Sequence, residues 1–148
     1  MKYKNLVIYL TIFLCTVLPH WTTGQSTSLA LGNPTISLVE IETNETLAVV
    51  ELSISLVCSN LSQLDRLVIT LNDRNRSPIS QLDYQIKKEN ERYFLISENS
   101  KVRVDNNLII VGDVLNLDIN NYYDQLSVSI TATDISGVST NPIIERIR

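Results

Sequence analysis

The 148-residue sequence predicts an all-β protein folded as a Greek-key sandwich of about seven strands. Three observations support this prediction. Apolar and polar residues alternate along many short segments, which is typical of strands with one buried face. Asn, Asp, Ser and Pro separate these segments, as they do in turns between strands. No heptad pattern or longer repeat is present, and only residues 113–121 resemble a helical turn.

The first predicted strand covers residues 36–41, and a phase slip between Leu38 and Val39 suggests a bulge or a strand that changes partner sheet. The second runs from Val50 to Cys58 with five apolar residues in one phase. The later strands lie at 67–71, 82–86, 94–96, 102–104, 108–111, 126–132 and 143–144.

Residues 1–24 read as a secretory signal peptide, which precedes these strands. Two lysines come before an uncharged apolar run at 6–18, and small polar residues follow it. The run is shorter than the roughly 20 residues of a membrane-spanning helix, so cleavage is favoured over a retained anchor. We expect a secreted, extracellular protein with a polar lead-in at 25–34 and a single domain at 35–148. No transmembrane segment is expected after cleavage.

Loss of this leader would remove the reactive side chains that most enzymes use. The single histidine, His20, and the single tryptophan, Trp21, would go with it, leaving 10 basic and 16 acidic residues, a net charge of −6. Without histidine, Ser-His-Asp and Cys-His chemistry and the usual zinc sites are excluded. The acidic balance, with no basic cluster in the sequence, argues against nucleic acid. We therefore expect a binding protein and no enzyme; carboxylate chemistry is the remaining enzymatic alternative.

Cys58 would be the only cysteine left after cleavage, so no intramolecular disulfide is expected. Its inward phase favours a buried thiol that acts as a small apolar side chain. An intermolecular disulfide is the alternative, because Cys58 ends its strand beside Ser59. A catalytic thiol is disfavoured, since nothing nearby in the sequence would lower its pKa.

Three N-glycosylation sequons begin at Asn44, Asn60 and Asn75. Each lies at or between the ends of predicted strands, where a glycan would stay on the surface. Pro78 directly follows the third sequon and weakens it. The sequence therefore predicts a glycoprotein, with Asn44 and Asn60 as the favoured sites.

Residues 81–134 resemble part of a cadherin repeat. The segments at 82–86 and 94–96 are similar to the family's C strand and to the Phe-x-Ile that follows it. Residues 117–118 resemble the opening of its Leu-Asp-Arg-Glu motif, and 126–134 is similar to its Tyr-x-Leu-x-Val-x-Ala-x-Asp strand. The resemblance implies a seven-strand Greek-key sandwich of immunoglobulin-like architecture and a role in cell adhesion.

Cadherin repeats also bind Ca²⁺ with carboxylates, because hard cations take about six to eight oxygen ligands. Asp118 and Asp134 match two family carboxylates, and Glu42 or Glu45 is a loose counterpart of a third. However, residues 119–120 are Ile-Asn where the family has Arg-Glu, and the Asp-x-Asn-Asp-Asn linker does not follow the last strand. The resemblance thus implies calcium at Asp118 and Asp134, with weak or lost dependence.

The first functional hypothesis is a secreted or cell-surface adhesion module of cadherin type. Its partner would be a protein, either a second copy or another cell-surface protein, and unpaired sheet edges offer one route to pairing. The alternative is a stand-alone secreted effector or structural protein on a generic immunoglobulin-like or fibronectin-like sandwich, which needs no calcium.

Overall fold

The computed structural model describes residues 28–122 and 124–147. The predicted signal peptide at 1–24 lies outside these ranges. Across them, no helix combines the length and apolar character needed to cross a membrane.

Nine strands and one helical turn make up the described part of the chain. In chain order they are β1 (Thr35–Thr43), β2 (Leu47–Val57), β3 (Leu64–Asn72), β4 (Pro78–Glu89), β5 (Arg92–Ile96), β6 (Lys101–Val104), β7 (Leu108–Asp118), α1 (Ile119–Tyr122), β8 (Ser127–Asp134) and β9 (Ile143–Arg146).

The strands form two antiparallel sheets. The small sheet has the order β1-β2-β7, and the large sheet has the order β6-β5-β4-β3-β8-β9. The chain passes between the sheets after β2, after β6 and after β7, so the second strand pairs with the seventh and the third with the eighth. These long-range pairings are of the Greek-key kind. The predicted all-β sandwich is confirmed. Its nine strands each overlap one of the nine predicted segments and exceed the expected total of about seven.

The core between the sheets follows from the alternation in sequence. The inward residues of β2 and the cysteine that follows it are at most 1% exposed. In β8, Val128, Ile130 and Ala132 are fully buried, while the residues between them face outward. Each buried Val, Leu or Ile side chain stabilises the fold by about 1.5–3 kcal/mol relative to exposure. The apolar face of each strand therefore holds the two sheets together.

Two local predictions were wrong. A helical turn was expected at 113–121, but residues 113–118 continue β7 as a strand. Leu115 and Leu117 face the core there, and β7 pairs with β2 along its full length. Among the described residues only α1 is helical. The bulge in β1 lies between Glu40 and Glu42, two residues later than the phase slip suggested.

The described part of the lead-in belongs to the sandwich. The N–H of Gly32 donates to the carbonyl of Val57 at 2.7 Å, and the N–H of Ser59 donates to the carbonyl of Ala30 at 2.9 Å. Leu29 and Leu31 pack against the core. These contacts extend the pairing along the end of β2, so the folded unit begins before β1.

Strand register defines the two ends of the sandwich. Leu47 lies opposite Asp118, which places the β1–β2 turn, the β3–β4 loop and α1 at one end, here named the α1 end. Leu64 lies opposite Asp134, which places the β2–β3 loop and the β8–β9 loop at the other, here named the Cys58 end.

Candidate functional site

Exposed apolar side chains concentrate on the outward face of the small sheet. Of the ten exposed large hydrophobic residues in the described ranges, six lie on this face, between 38% and 56% exposed. They are Val39, Leu47, Val57, Leu108, Ile110 and Val114. An uncovered apolar surface of this kind is typical of a protein-binding site.

Register shows how these side chains are arranged. Val57 lies opposite Leu108, with Ile110 two residues further along β7, so one aliphatic cluster sits near the Cys58 end. Val39 and Val114 lie on either side of Glu51 and form a second group near the middle. Serine and glycine residues occupy the positions between the two groups. Because these residues are small, this part of the face is flat.

The charged residues on this face are all acidic. They are Glu42, Glu51 and Asp118, which alternate with inward residues along their strands. Glu51 lies among the aliphatic side chains, and the other two lie toward the α1 end. A partner that covers the face therefore needs an apolar surface and a cation opposite Glu51.

All four sheet edges carry features that disfavour pairing with another strand. The β1 edge has its bulge, and Glu40 lies on the core side opposite buried Val50. The β7 edge has Asp113 on the core side, opposite buried Leu52. β6 and β9 are only four residues long each. Association through these four edge strands, the route suggested by the sequence, is disfavoured relative to association through a face. Residues 78–84 of β4, which β5 does not cover, form a further open stretch beside β7.

Backbone packing sets the position of β7. A Cβ at Gly112 would lie 2.8 Å from the carbonyl oxygen of Leu52, which is too close for ordinary contact. Glycine at this position therefore lets β7 approach β2 and keeps the small-sheet face flat opposite Ser53.

The two candidate calcium ligands lie at opposite ends of the sandwich and form no common site. Asp118 ends β7 at the α1 end, and its Oδ1 accepts from the backbone N–H of Asn120 at 2.9 Å and its Nδ2 at 3.0 Å. Asp134 ends β8 at the Cys58 end, where its Oδ1 accepts from the Ser136 hydroxyl at 2.6 Å and the Val138 N–H at 2.9 Å.

Both carboxylates thus act as turn residues. Hydrogen bonds from the Ser136 hydroxyl and then from the Val138 N–H hold the pKa of Asp134 below its usual range. Within residues 28–122 and 124–147, no group of three or more His, Cys, Asp or Glu side chains is placed to hold a metal ion. A calcium ion takes about six to eight oxygens, so the arrangement does not fit a site shared by Asp118 and Asp134.

The three sequons lie on end loops and on neither sheet face. Asn44 and Asn75 are exposed at the α1 end, and half-buried Asn60 lies at the Cys58 end. The Oδ1 of Asn44 accepts from the hydroxyl of Thr46 at 3.1 Å, and that of Asn60 accepts from the hydroxyl of Ser62 at 2.6 Å. Glycans at these positions would leave the small-sheet face open.

Cys58 lies inward with none of its surface exposed. Burial raises the pKa of its thiol, and its backbone N–H donates to the carbonyl of Asn107 at 2.9 Å. A thiol in this position cannot reach another chain while the fold is intact. The structure therefore gives no support to the intermolecular disulfide and favours the buried apolar role.

A cleft of about 250 Å³ lies at the open edge between β4 and β7 and is lined by Asp83, Tyr84 and Asp113. Acid–base catalysis by two carboxylates needs one of them to have a raised pKa. Hydrogen bonds from Arg66 instead lower the pKa of Asp83. This cleft gives no support to the carboxylate-enzyme alternative.

Sequence reasoning did not single out the small-sheet face. A signal was present at 108–111, where apolar residues occupy both phases of the strand. One phase fills the core, and the other, Leu108 and Ile110, faces outward. An apolar residue in the outward phase of a half-buried strand is the pattern that would have indicated the face.

A scan against protein-family models finds no match, and a search of curated proteins finds none either. Among solved structures, the chain is similar to the Northeast Structural Genomics Consortium target SoR45, with 11% identity and a TM-score of 0.43 over 81% of this chain and 84% of that one. It is also similar to the putative ApaA protein from Bordetella pertussis, with 9% identity and a TM-score of 0.38 over 82% of this chain and 89% of that one. Likenesses this distant carry no argument about function.

Proposed function

We propose that this chain is a secreted or cell-surface recognition module of cadherin type that binds another protein through the outward face of its small sheet. The observation that carries the proposal is the concentration of exposed aliphatic side chains on that one face. The sheet edges disfavour pairing, and the sequons lie on end loops, so the face is the surface best suited to a partner.

The size of the face favours weak, reversible binding. Strands spaced by about 4.8 Å and rising about 3.3 Å per residue, up to 11 residues long, give a footprint of about 500 Å². A standard interface buries about 800 Å² on each partner. An interface of this area suits transient recognition, or adhesion by many weak contacts, rather than a permanent complex.

Charge favours a different protein over a second copy. Glu42, Glu51 and Asp118 are the charged residues of the face, so two copies packed face to face would bring like charges together. The partner we propose presents a flat aliphatic surface with a Lys or Arg placed to meet Glu51.

The test compares charge insertions on the small-sheet face with one at a position away from it. Val114→Glu and Ile110→Glu should each weaken binding to a partner found among purified extracellular domains by about tenfold or more, because they bury an unpaired charge. Ile135→Glu is the matched control, since Ile135 is 64% exposed in the β8–β9 loop, away from the small-sheet face. An equal loss of binding with the control variant would refute the proposal that this face binds the partner. If the wild type forms a dimer in sedimentation and Val114→Glu abolishes it, the partner is a second copy of this chain.

The second candidate is a secreted effector or structural protein on a generic immunoglobulin-like or fibronectin-like sandwich that needs no calcium. The separation of Asp118 and Asp134 to opposite ends favours it. Melting in millimolar Ca²⁺ and in chelator tests whether the module depends on calcium. An unchanged melting temperature fits both the second candidate and a cadherin-type module that has lost calcium, whereas a rise of many degrees would establish a calcium-dependent module.

A further inference from the structure

Three arginines from two distant parts of the sequence meet at the α1 end. Arg74 and Arg76 lie in the β3–β4 loop, and Arg146 ends β9. Together they line a cleft of about 70 Å³, to which the half-exposed Ile144 contributes apolar wall. This cleft, here named the arginine cleft, lies at the end of the sandwich and shares no residue with the small-sheet face.

Two of these guanidinium groups have no acidic partner. Arg74 Nε lies 3.3 Å from the Oδ2 of Asp124, whereas Arg76 and Arg146 make no ion pair within 4.0 Å in the described part of the chain. Asp73 also lines the cleft, but its Oδ1 accepts from the N–H groups of Asn75 and Ser77, both at 2.8 Å. These backbone donors leave the charge of Asp73 in place. With three arginines against Asp73 and Asp124, the cleft keeps a net positive charge in a chain with more acidic than basic residues.

The backbone at Arg76 is strained. Its φ of 64° is in the left-handed region, which favours Gly or Asn over a long side chain. The loop holds this conformation through a bond of 3.0 Å from the Arg76 N–H to the Asp73 carbonyl and one of 2.9 Å from the Asp73 N–H to the Ser77 carbonyl. Strain of this kind at a surface loop points to a role for the guanidinium group.

We propose that the arginine cleft binds the carboxylate of an Asp or Glu side chain on a protein partner. Guanidinium groups present planar pairs of donors that match a carboxylate. The cleft is small, about 70 Å³, which suits a carboxylate and its adjoining methylene group. The exposed part of the Ile144 side chain would contact the methylene group.

The probe is a fluorescein-labelled, glutamate-rich peptide, with binding followed by fluorescence anisotropy at low and at physiological salt. Binding should weaken as salt is added, because exposed charges are screened. Arg76→Gly and Arg146→Gln should each weaken binding about tenfold at low salt, which corresponds to one charge-assisted hydrogen bond. Lys87→Gln removes another exposed, unpaired cation on the large sheet and is the matched control.

Arg76→Gly also separates binding from folding. Because glycine relieves the strain at this position, the variant should melt at or above the wild-type temperature while it binds the peptide less well. An equal loss with Lys87→Gln, or no binding by the wild type at low salt, would overturn the proposal. Tighter binding of a sulfated oligosaccharide, lost in the same two arginine variants, would overturn the assignment to a carboxylate. None of these variants alters the small-sheet face, so their failure would leave the proposed function intact.

Discussion

The hydroxyl of Tyr122 donates a hydrogen bond of 2.7 Å to the Oε2 of Glu40, a residue 82 positions earlier in the chain. This contact links α1, which connects the small sheet to the large one, with β1 at the edge of the small sheet. Tyr122 is only 3% exposed whereas Glu40 is exposed, so the bond is partly buried and lies at the rim of the core. It therefore helps to hold an edge strand that pairs on one side only.

We expect Tyr122→Phe to lower the free energy of unfolding by about 1.5–3 kcal/mol, the usual worth of a hydrogen bond to a charged group. Urea unfolding measures this loss, and Tyr93→Phe is a control that removes a hydroxyl from a half-buried tyrosine on β5. Faster hydrogen exchange confined to β1 would locate the effect. Equal stability of wild type and Tyr122→Phe would show that the contact does not hold the edge.

Asp113 protects the β7 edge by placing a charge on the core side of an unpaired strand. We expect Asp113→Val to promote self-association, which light scattering and size exclusion would detect at rising protein concentration. Asn116→Val adds the same side chain to the outward side of β7 and is the matched control. If both variants associate equally, added hydrophobicity rather than the lost edge charge is responsible.

Gly112→Ala should destabilise the fold by about 1–3 kcal/mol, because the new methyl group would lie 2.8 Å from the Leu52 carbonyl oxygen. The control is Gly32→Ala, where the nearest atom is the Cβ of Val57 at 3.4 Å, an ordinary contact. Chemical denaturation compares the two. A nearly neutral Gly112→Ala would mean that β7 can move away from β2 at little cost.

The β4–β5 turn has a positive φ at both central residues, 48° at Asn90 and 63° at Glu91, as a type I′ turn requires. We expect Glu91→Gly to stabilise the fold by about 0.5–1 kcal/mol, because glycine adopts this conformation without steric cost. The exposed ion pair with Lys88 is worth little in return. Glu98→Gly, at a position without positive φ, should destabilise instead, and a melting-temperature comparison in which both variants lose stability would count against this reading.

Stability should fall in acid. The pKa of Asp83 is lowered by hydrogen bonds from Arg66, and that of Asp134 by the Ser136 hydroxyl and then the Val138 N–H. A carboxyl group with a lowered folded-state pKa stabilises the fold above its unfolded pKa of about 3.9, and this contribution is lost as the pH falls through the lower, folded value. Asp134→Asn should therefore flatten the decline in urea midpoint below about pH 4. Parallel declines for variant and wild type would contradict this.

The alternation of apolar residues predicted most strands because side chains on a strand face opposite sides with a period of two. It was sufficient for β2 and β8, whose inward residues are fully or almost fully buried. It failed for the second half of β7, where polar residues at Asp113 and Asn116 gave a pattern compatible with a turn. That segment is a strand because β2 pairs with it, and this pairing joins residues more than 60 positions apart.

The amino-acid sequence alone determined the all-β class, the inward position of Cys58 and the location of the sequons between strands, since each depends on local pattern or spacing. Only the tertiary structure decided which strands are neighbours, and with that it brought Arg146 to Arg76 and separated Asp118 from Asp134. It also left one sheet face apolar and uncovered. The physical reason is that these relationships arise from pairing between distant strands, which no short stretch of sequence contains.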